Sequence, residues 1–288
     1  MFGDLFTLLG MSFFQRALIG GCLVSVICAA IGLFVVLRKE SMIGDSAAHI
    51  SFGGIAVGLL LGVQPMIMAT VFSVAAILGM DFMKKRGIAQ SDSAMAIFMA
   101  MGFSVGLIAI GLSNGFSISI MDYLFGSILT ISGSDLAVIS VLGIAVLSAI
   151  FILLKEFIAM TFDSISSKMN GIPTELLSVL FNVMMAVTVV LTIKVVGIIL
   201  VLALMVVPSL AALQLKTSFR KTLLAAVMFG AFSTFTGIIV SGMVDLPAAG
   251  VIVFTDVAIL LLLVAYKHLG KEPGNAVPPI KETKTFRT

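Results

Sequence analysis

FQRALIGGCLVSVICAAIGLFVVLRK occupies residues 14–39. Between Arg16 and Arg38 it carries no charged side chain. A helix needs about 20 mainly apolar residues to cross the hydrocarbon of a bilayer, and the run 14–37 meets that length. The same test marks eight more candidates: 45–63, 66–83, 92–112, 135–154, 175–195, 196–215, 221–241 and 250–266. The pair 175–195 and 196–215 has almost no loop, with Lys194 and Gly197 at the expected turn. Eight crossings, with one segment only dipping in, also satisfy the pattern.

Composition agrees. The 288 residues are 60% hydrophobic and 11% charged, whereas a soluble domain carries roughly 25% charged residues. Too few charges remain to coat a surface in water. The expected class is an all-α polytopic membrane protein with 8–9 transmembrane helices, forming one transmembrane domain over 1–269. The polar tail 270–288, with three prolines, reads as disordered. No basic residue precedes the first apolar run, so that span is expected to be retained rather than cleaved.

Basic residues set the expected orientation. Fifteen of the 17 Lys and Arg follow odd-numbered candidates; only Arg16 and Lys194 fall on the other side. Basic loops stay in the cytoplasm, which places the N-terminus outside and the C-terminus inside if all nine candidates cross; with eight crossings the alternation must break somewhere. The outer segment 113–134 is semi-apolar and reads as a short re-entrant helix or as a loop at the headgroups. In the inner segment 155–174, Phe162, Ile165, Met169 and Ile172 recur at steps of three and four, giving a short helix one apolar face. Gly171 suits its end and Pro173 the start of the next helix.

Several chemistries lack their residues. There is no GxxxxGK[ST] or HExxH. His49 and His268 are the only histidines, and His268 reads as interfacial. The basic residues follow topology, so no nucleic acid is expected as partner. Cys22 and Cys28 are six apart, with no ligand spacing, and read as small buried hydrophobes.

Polar residues inside spans need a reason. In IGDSAAHISFGG (43–54), Asp45 and His49 are one turn apart and share a helix face. Ser41 and Gly53 continue that face at steps of four. A carboxylate and a neutral imidazole are first-row transition-metal ligands. Two ligands make a weak site, which suits passage rather than storage, and a symmetric dimer brings the number to four. The other reading has Asp45 capping the helix start and His49 bonded to a neighbouring helix; spacing does not separate the two. Asp256, in GVIVFTDVAIL (250–260), is the second intramembrane candidate, either functional or bonded to a nearby Ser or Thr. Pro208 removes a backbone bond in its span, and its kink either frees carbonyls to line a cavity or serves packing alone.

RKESMIGDSAAHISFGGIAVG (38–58) resembles the signature after the first span of the manganese/zinc/iron ABC importer permeases of the ABC-3 type. DYLFGSIL (122–129), FDSISSKMNGIP (162–173) and VGIILVLALMVVPSLAA (196–212) are similar to three further stretches of that family. The resemblance runs from about residue 10 to 266. It implies a homodimeric permease in the cell membrane, not itself an enzyme. Its partners would be a cytoplasmic ATPase subunit that binds ATP, an extracytoplasmic metal-binding protein, a second copy of itself and the lipid bilayer. It implies no tightly bound cofactor, only a transported divalent metal (Mn, Zn or Fe). Asp45 and His49 correspond to the family's metal-passage motif. The segment 162–172, with Phe162, Asp163, Ile165, Met169 and Gly171, corresponds to the helix that couples to the ATPase. The family often has proline where this chain has Gly53, so a softer bend is expected there. The rival class is a gradient-driven secondary cation carrier using Asp45 or Asp256.

Overall fold

The computed structural model describes residues 10–113, 123, 124, 126 and 131–269. The tail 270–288 and most of the outer segment 113–134, including most of DYLFGSIL, lie outside the described residues. The described chain is helical: α1 Ser12–Leu37, α2 Ser41–Leu61, α3 Pro65–Lys85, α4 Ser91–Leu112, α5 Gly133–Ile152, α6 Leu154–Phe162, α7 Ser164–Met169, α8 Thr174–Val196, α9 Val201–Leu213, α10 Phe219–Val244 and α11 Ala248–Leu269. Among the described residues, eight helices are long and apolar enough to cross a membrane: α1 to α5, α8, α10 and α11.

The ninth candidate, 196–215, differs from expectation. Gly197 sits at φ +82, which ends α8 and suits glycine because it has no Cβ. A single 3₁₀ turn, Ile198–Leu200, then leads into the 13-residue α9. The apolar stretch Ile198–Leu213 is therefore shorter than a typical crossing helix, yet it carries the chain from the Lys194 end of α8 back to the end where Phe219 meets Phe34. The sequence is apolar throughout 196–215, but the glycine conformation removes its first turn.

α1 is the central post. It packs against α5, α8, α9 and α10, and its residues from Ile27 to Val35 are almost all buried. A Cβ at Gly32 would collide with the Met205 carbonyl of α9, so the two backbones touch where only glycine fits. Small residues allow such approaches in lipid, where apolar surface alone does not drive helices together. Pro208 is buried in this contact region, and Ser209 donates a hydrogen bond to Ala29 O at 3.4 Å and to Met205 O at 3.1 Å. Cys28 Sγ lies 2.8 Å from Thr192 Oγ1 in the α1–α8 seam.

α2 belongs to a second group, packed on α3 and α4. Its crossing with α4 is made by glycines: a Cβ at Gly53 would strike the Gly102 carbonyl. A bulkier residue there would force the helices apart, which explains why the chain has FGG at this point.

Ion pairs gather at one end of the bundle. Arg38 Nε lies 2.8 Å from Glu40 Oε2, and Lys84 Nζ lies 3.6 Å from Glu40 Oε1, joining the end of α1, the start of α2 and the end of α3. Phe34, Phe157, Phe181 and Phe219 meet edge-on or tilted at the same end, with centroids 5.2–6.1 Å apart. They tie α6 to α1, α8 and α10. At the other end of α8, Lys194 Nζ lies 3.5 Å from Asp135 Oδ2, while Asp135 forms a capping box with Ser132.

Candidate metal pathway

α2 begins at Ser41 with Glu40 as its N-cap. Asp45 is therefore one turn inside the helix and does not cap it, which removes that part of the structural explanation for the residue. His49 Nε2 lies 3.9 Å from Asp45 Oδ1, and each side chain is 25% exposed. That separation is too long for a direct hydrogen bond. It does suit a shared ion: two donor atoms each ~2.1 Å from one metal stand no more than ~4.2 Å apart. The imidazole meets Phe103 of α4 edge-on, with centroids 6.1 Å apart, and Phe103 stacks on Phe52 at 5.4 Å. Phe103 thus fixes the position of the His49 ring. Nothing in the sequence singled it out, because its helix reads as apolar throughout.

The described residues of one chain hold no group of three or more His, Cys, Asp or Glu that could bind a metal. Asp256 does not join Asp45 and His49 in such a group. It is 1% exposed on α11, and both its carboxylate oxygens lack a hydrogen-bond partner. Ser233, the neighbouring hydroxyl expected to meet it, does stand beside the carboxyl, and donates to Gly230 O at 2.9 Å. Pro208 faces the α1 contact. From the same helix, the Met205 methyl approaches within 3.2 Å of where a Cβ of Gly44 would stand, so α9 borders the Asp45 turn through Met205.

Beside the start of α2 is a small polar cavity of about 80 Å3 lined by Arg38, Glu40, Asp81, Lys84 and Asn182. Arg38 also lies 4.8 Å over the Phe181 ring, and Asn182 Oδ1 is buried without a partner. By sequence Arg38 and Lys84 mark topology. The acid in RKE (38–40) is the available signal that Arg38 is paired.

The segment 162–172 is not one helix. Asp163 breaks it at φ −150. Its Oδ1 accepts hydrogen bonds from the Ile165 and Ser166 amides at 3.0 and 2.9 Å, and its Oδ2 accepts one from the Ser166 hydroxyl. These bonds, the hydroxyl's first, hold the Asp163 carboxyl below the usual carboxylate range. Gly171, at φ +81, follows α7 as a left-handed turn residue. Phe162, Ile165 and Met169 are 67%, 77% and 84% exposed. Three of the four residues that spacing put on one apolar face are therefore exposed, split between α6 and α7, while the fourth, Ile172, packs on the core. Lys168 Nζ donates to Glu175 Oε1 at 2.8 Å, which raises the lysine above its ordinary value.

Comparison with known proteins follows the same lines. The manganese transport system membrane protein MntC of Listeria monocytogenes is 29% identical over 92% of this chain and 94% of its own length. A Haemophilus influenzae protein named "Probable iron transport system membrane protein" is 30% identical over 93% and 99%. Among solved structures, PsaBC from Streptococcus pneumoniae in complex with Fab superposes with a TM-score of 0.83 at 28% identity, over 91% of this chain and 95% of that one. The model of the ABC 3 transport family matches residues 10–267, and the chain belongs to that family.

Proposed function

We propose that the chain is the membrane-spanning permease subunit of an ATP-binding-cassette importer for a divalent first-row metal ion, Mn, Zn or Fe. Two copies stand side by side with their α2 helices facing. The ion passes along the axis between them, touched in turn by Asp45 and His49 of each copy. The observation that carries this is the partly exposed pair 3.9 Å apart inside a spanning helix. Intramembrane ionisable residues are costly and mark ion paths by default, and two per chain suffice only when a second copy completes the set. Relatives named for manganese and iron transport support the cargo class.

ATP is bound and hydrolysed in a separate cytoplasmic subunit, which docks on the exposed face of Phe162, Ile165 and Met169, held in shape by Asp163 and Gly171. An extracytoplasmic metal-binding protein delivers the ion at the opposite end. The basic end of the bundle, with Arg38, Lys84 and Lys267, faces the cytoplasm. The residues 1–269 act as one permease domain of the cell membrane.

The test is metal uptake into vesicles holding the reconstituted permease, ATPase and binding protein. Uptake of Mn, Zn or Fe that requires ATP hydrolysis is the expected result. Uptake driven by an ion gradient with the permease alone would replace this reading by a secondary carrier.

A further inference from the structure

We propose that the groove between α5 and α10 holds one phospholipid with a primary-amine headgroup, of the phosphatidylethanolamine class, in the leaflet on the side of α6 and α7. The groove has a volume of about 1100 Å3. Leu147 and Phe151 of α5 form one wall, Leu224 and Val227 of α10 the other, and Ala30 of α1 the floor. Packed interiors leave few voids larger than a water, so two spanning helices this far apart need a filler. Phe151 is 81% and Leu224 66% exposed, so the groove opens outward from the bundle. Hydrocarbon is the solvent there, and a lipid chain can fill an apolar slot that water would not enter favourably.

The mouth of the groove selects the headgroup. Lys155, three residues beyond the end of α5, and Arg220, the second residue of α10, both line it. Among the described residues neither has an ion-pair partner. Glu156 lines the same mouth, and its Oε2 is buried without a hydrogen-bond partner. Two cations and one unpaired carboxylate match a headgroup carrying both signs. The phosphate sits between Lys155 and Arg220, and the ammonium donates to Glu156. A quaternary choline has no N–H to donate, and a glycerol headgroup brings no cation. Basic pockets between spanning helices hold lipid headgroups for the same electrostatic reason.

Both walls stand on α1, whereas Asp45 and His49 are on α2, which packs on α3 and α4. A second copy that meets this chain at α2 leaves the groove facing lipid. In that respect the inference rests on the assembly proposed above.

Native mass spectrometry of the full permease–ATPase complex, titrated with phosphatidylethanolamine, phosphatidylglycerol and phosphatidylcholine, tests it. The wild type is expected to retain phosphatidylethanolamine preferentially. The double variant Lys155→Gln/Arg220→Gln should lose it several-fold, and Glu156→Gln should abolish the preference over phosphatidylglycerol. Leu224→Trp, which fills the slot and leaves the charges in place, should displace the lipid. Equal retention of all three lipids by the wild type, or unchanged retention in the variants, overturns the lipid site alone. A disulfide between two copies of Leu224→Cys in membranes would put a second copy in the groove, overturning both the lipid site and the proposed dimer face.

Discussion

Asp45 and His49 share a face of α2 without bonding each other. Among the described residues no hydrogen bond accounts for the carboxylate, and the ring meets Phe103 edge-on. Removing either side chain therefore leaves packing largely intact. Asp45→Ala and His49→Ala are each expected to reduce metal uptake to the level of empty vesicles, while the complex purifies with unchanged thermal stability. Normal uptake by either variant would remove that residue from the path. Asp256 presents the opposite case. It is buried with both oxygens unpartnered, in surroundings that make an unpaired polar group expensive. Asp256→Asn keeps the shape and lowers that cost, so its melting temperature should equal or exceed that of the wild type with uptake retained. Uptake lost at unchanged stability would assign Asp256 a part in transport.

At the scale of elements, glycines fix how helices cross. A Cβ at Gly53 meets the backbone of α4, not a movable side chain. Gly53→Ala should therefore destabilise the α2–α4 crossing by about 1–3 kcal/mol, the usual cost of overpacking, read as a lowered melting temperature in detergent. α7 depends on a different device. Its six residues are capped by Asp163, whose carboxyl is held below the usual range. A depressed carboxyl adds stability above its unfolded pKa and loses it as pH falls through the folded value. Amide protection over 164–169, measured against the intrinsic exchange rate at each pH, should thus fall on acidification in the wild type. Asp163→Ala should be poorly protected at every pH, and Asp163→Asn, an equally good cap, should stay protected without the pH dependence.

At the scale of the whole molecule, the basic end, the aromatic cluster and the exposed α6–α7 face belong together. Phe34, Phe157, Phe181 and Phe219 bind the segment to three spanning helices. Ile165 and Met169 contribute little to the fold, being 77% and 84% exposed. Ile165→Glu/Met169→Glu should leave melting unchanged and abolish co-purification with the ATPase subunit. Retained association would move the docking face elsewhere.

Span positions were legible because they depend on a local quantity, the length of an apolar run against the thickness of the bilayer. The polar face of Asp45 and His49 was legible for a similar reason: helical period fixes which residues share a face. The turn at Gly197 was legible too, because a glycine follows the lone lysine between two apolar runs. The break at Asp163 was not, since it lies in an amphipathic run whose backbone angles the composition does not reveal. Neither was the joining of Arg38 and Lys84 through Glu40, the placing of Phe103 against His49, or the gap between α5 and α10. In lipid, a helix face that meets another helix is as apolar as one that meets acyl chains. The sequence by itself therefore determined that the chain crosses the membrane and where its polar residues fall, and only tertiary packing decided which helices touch and which gaps stay open.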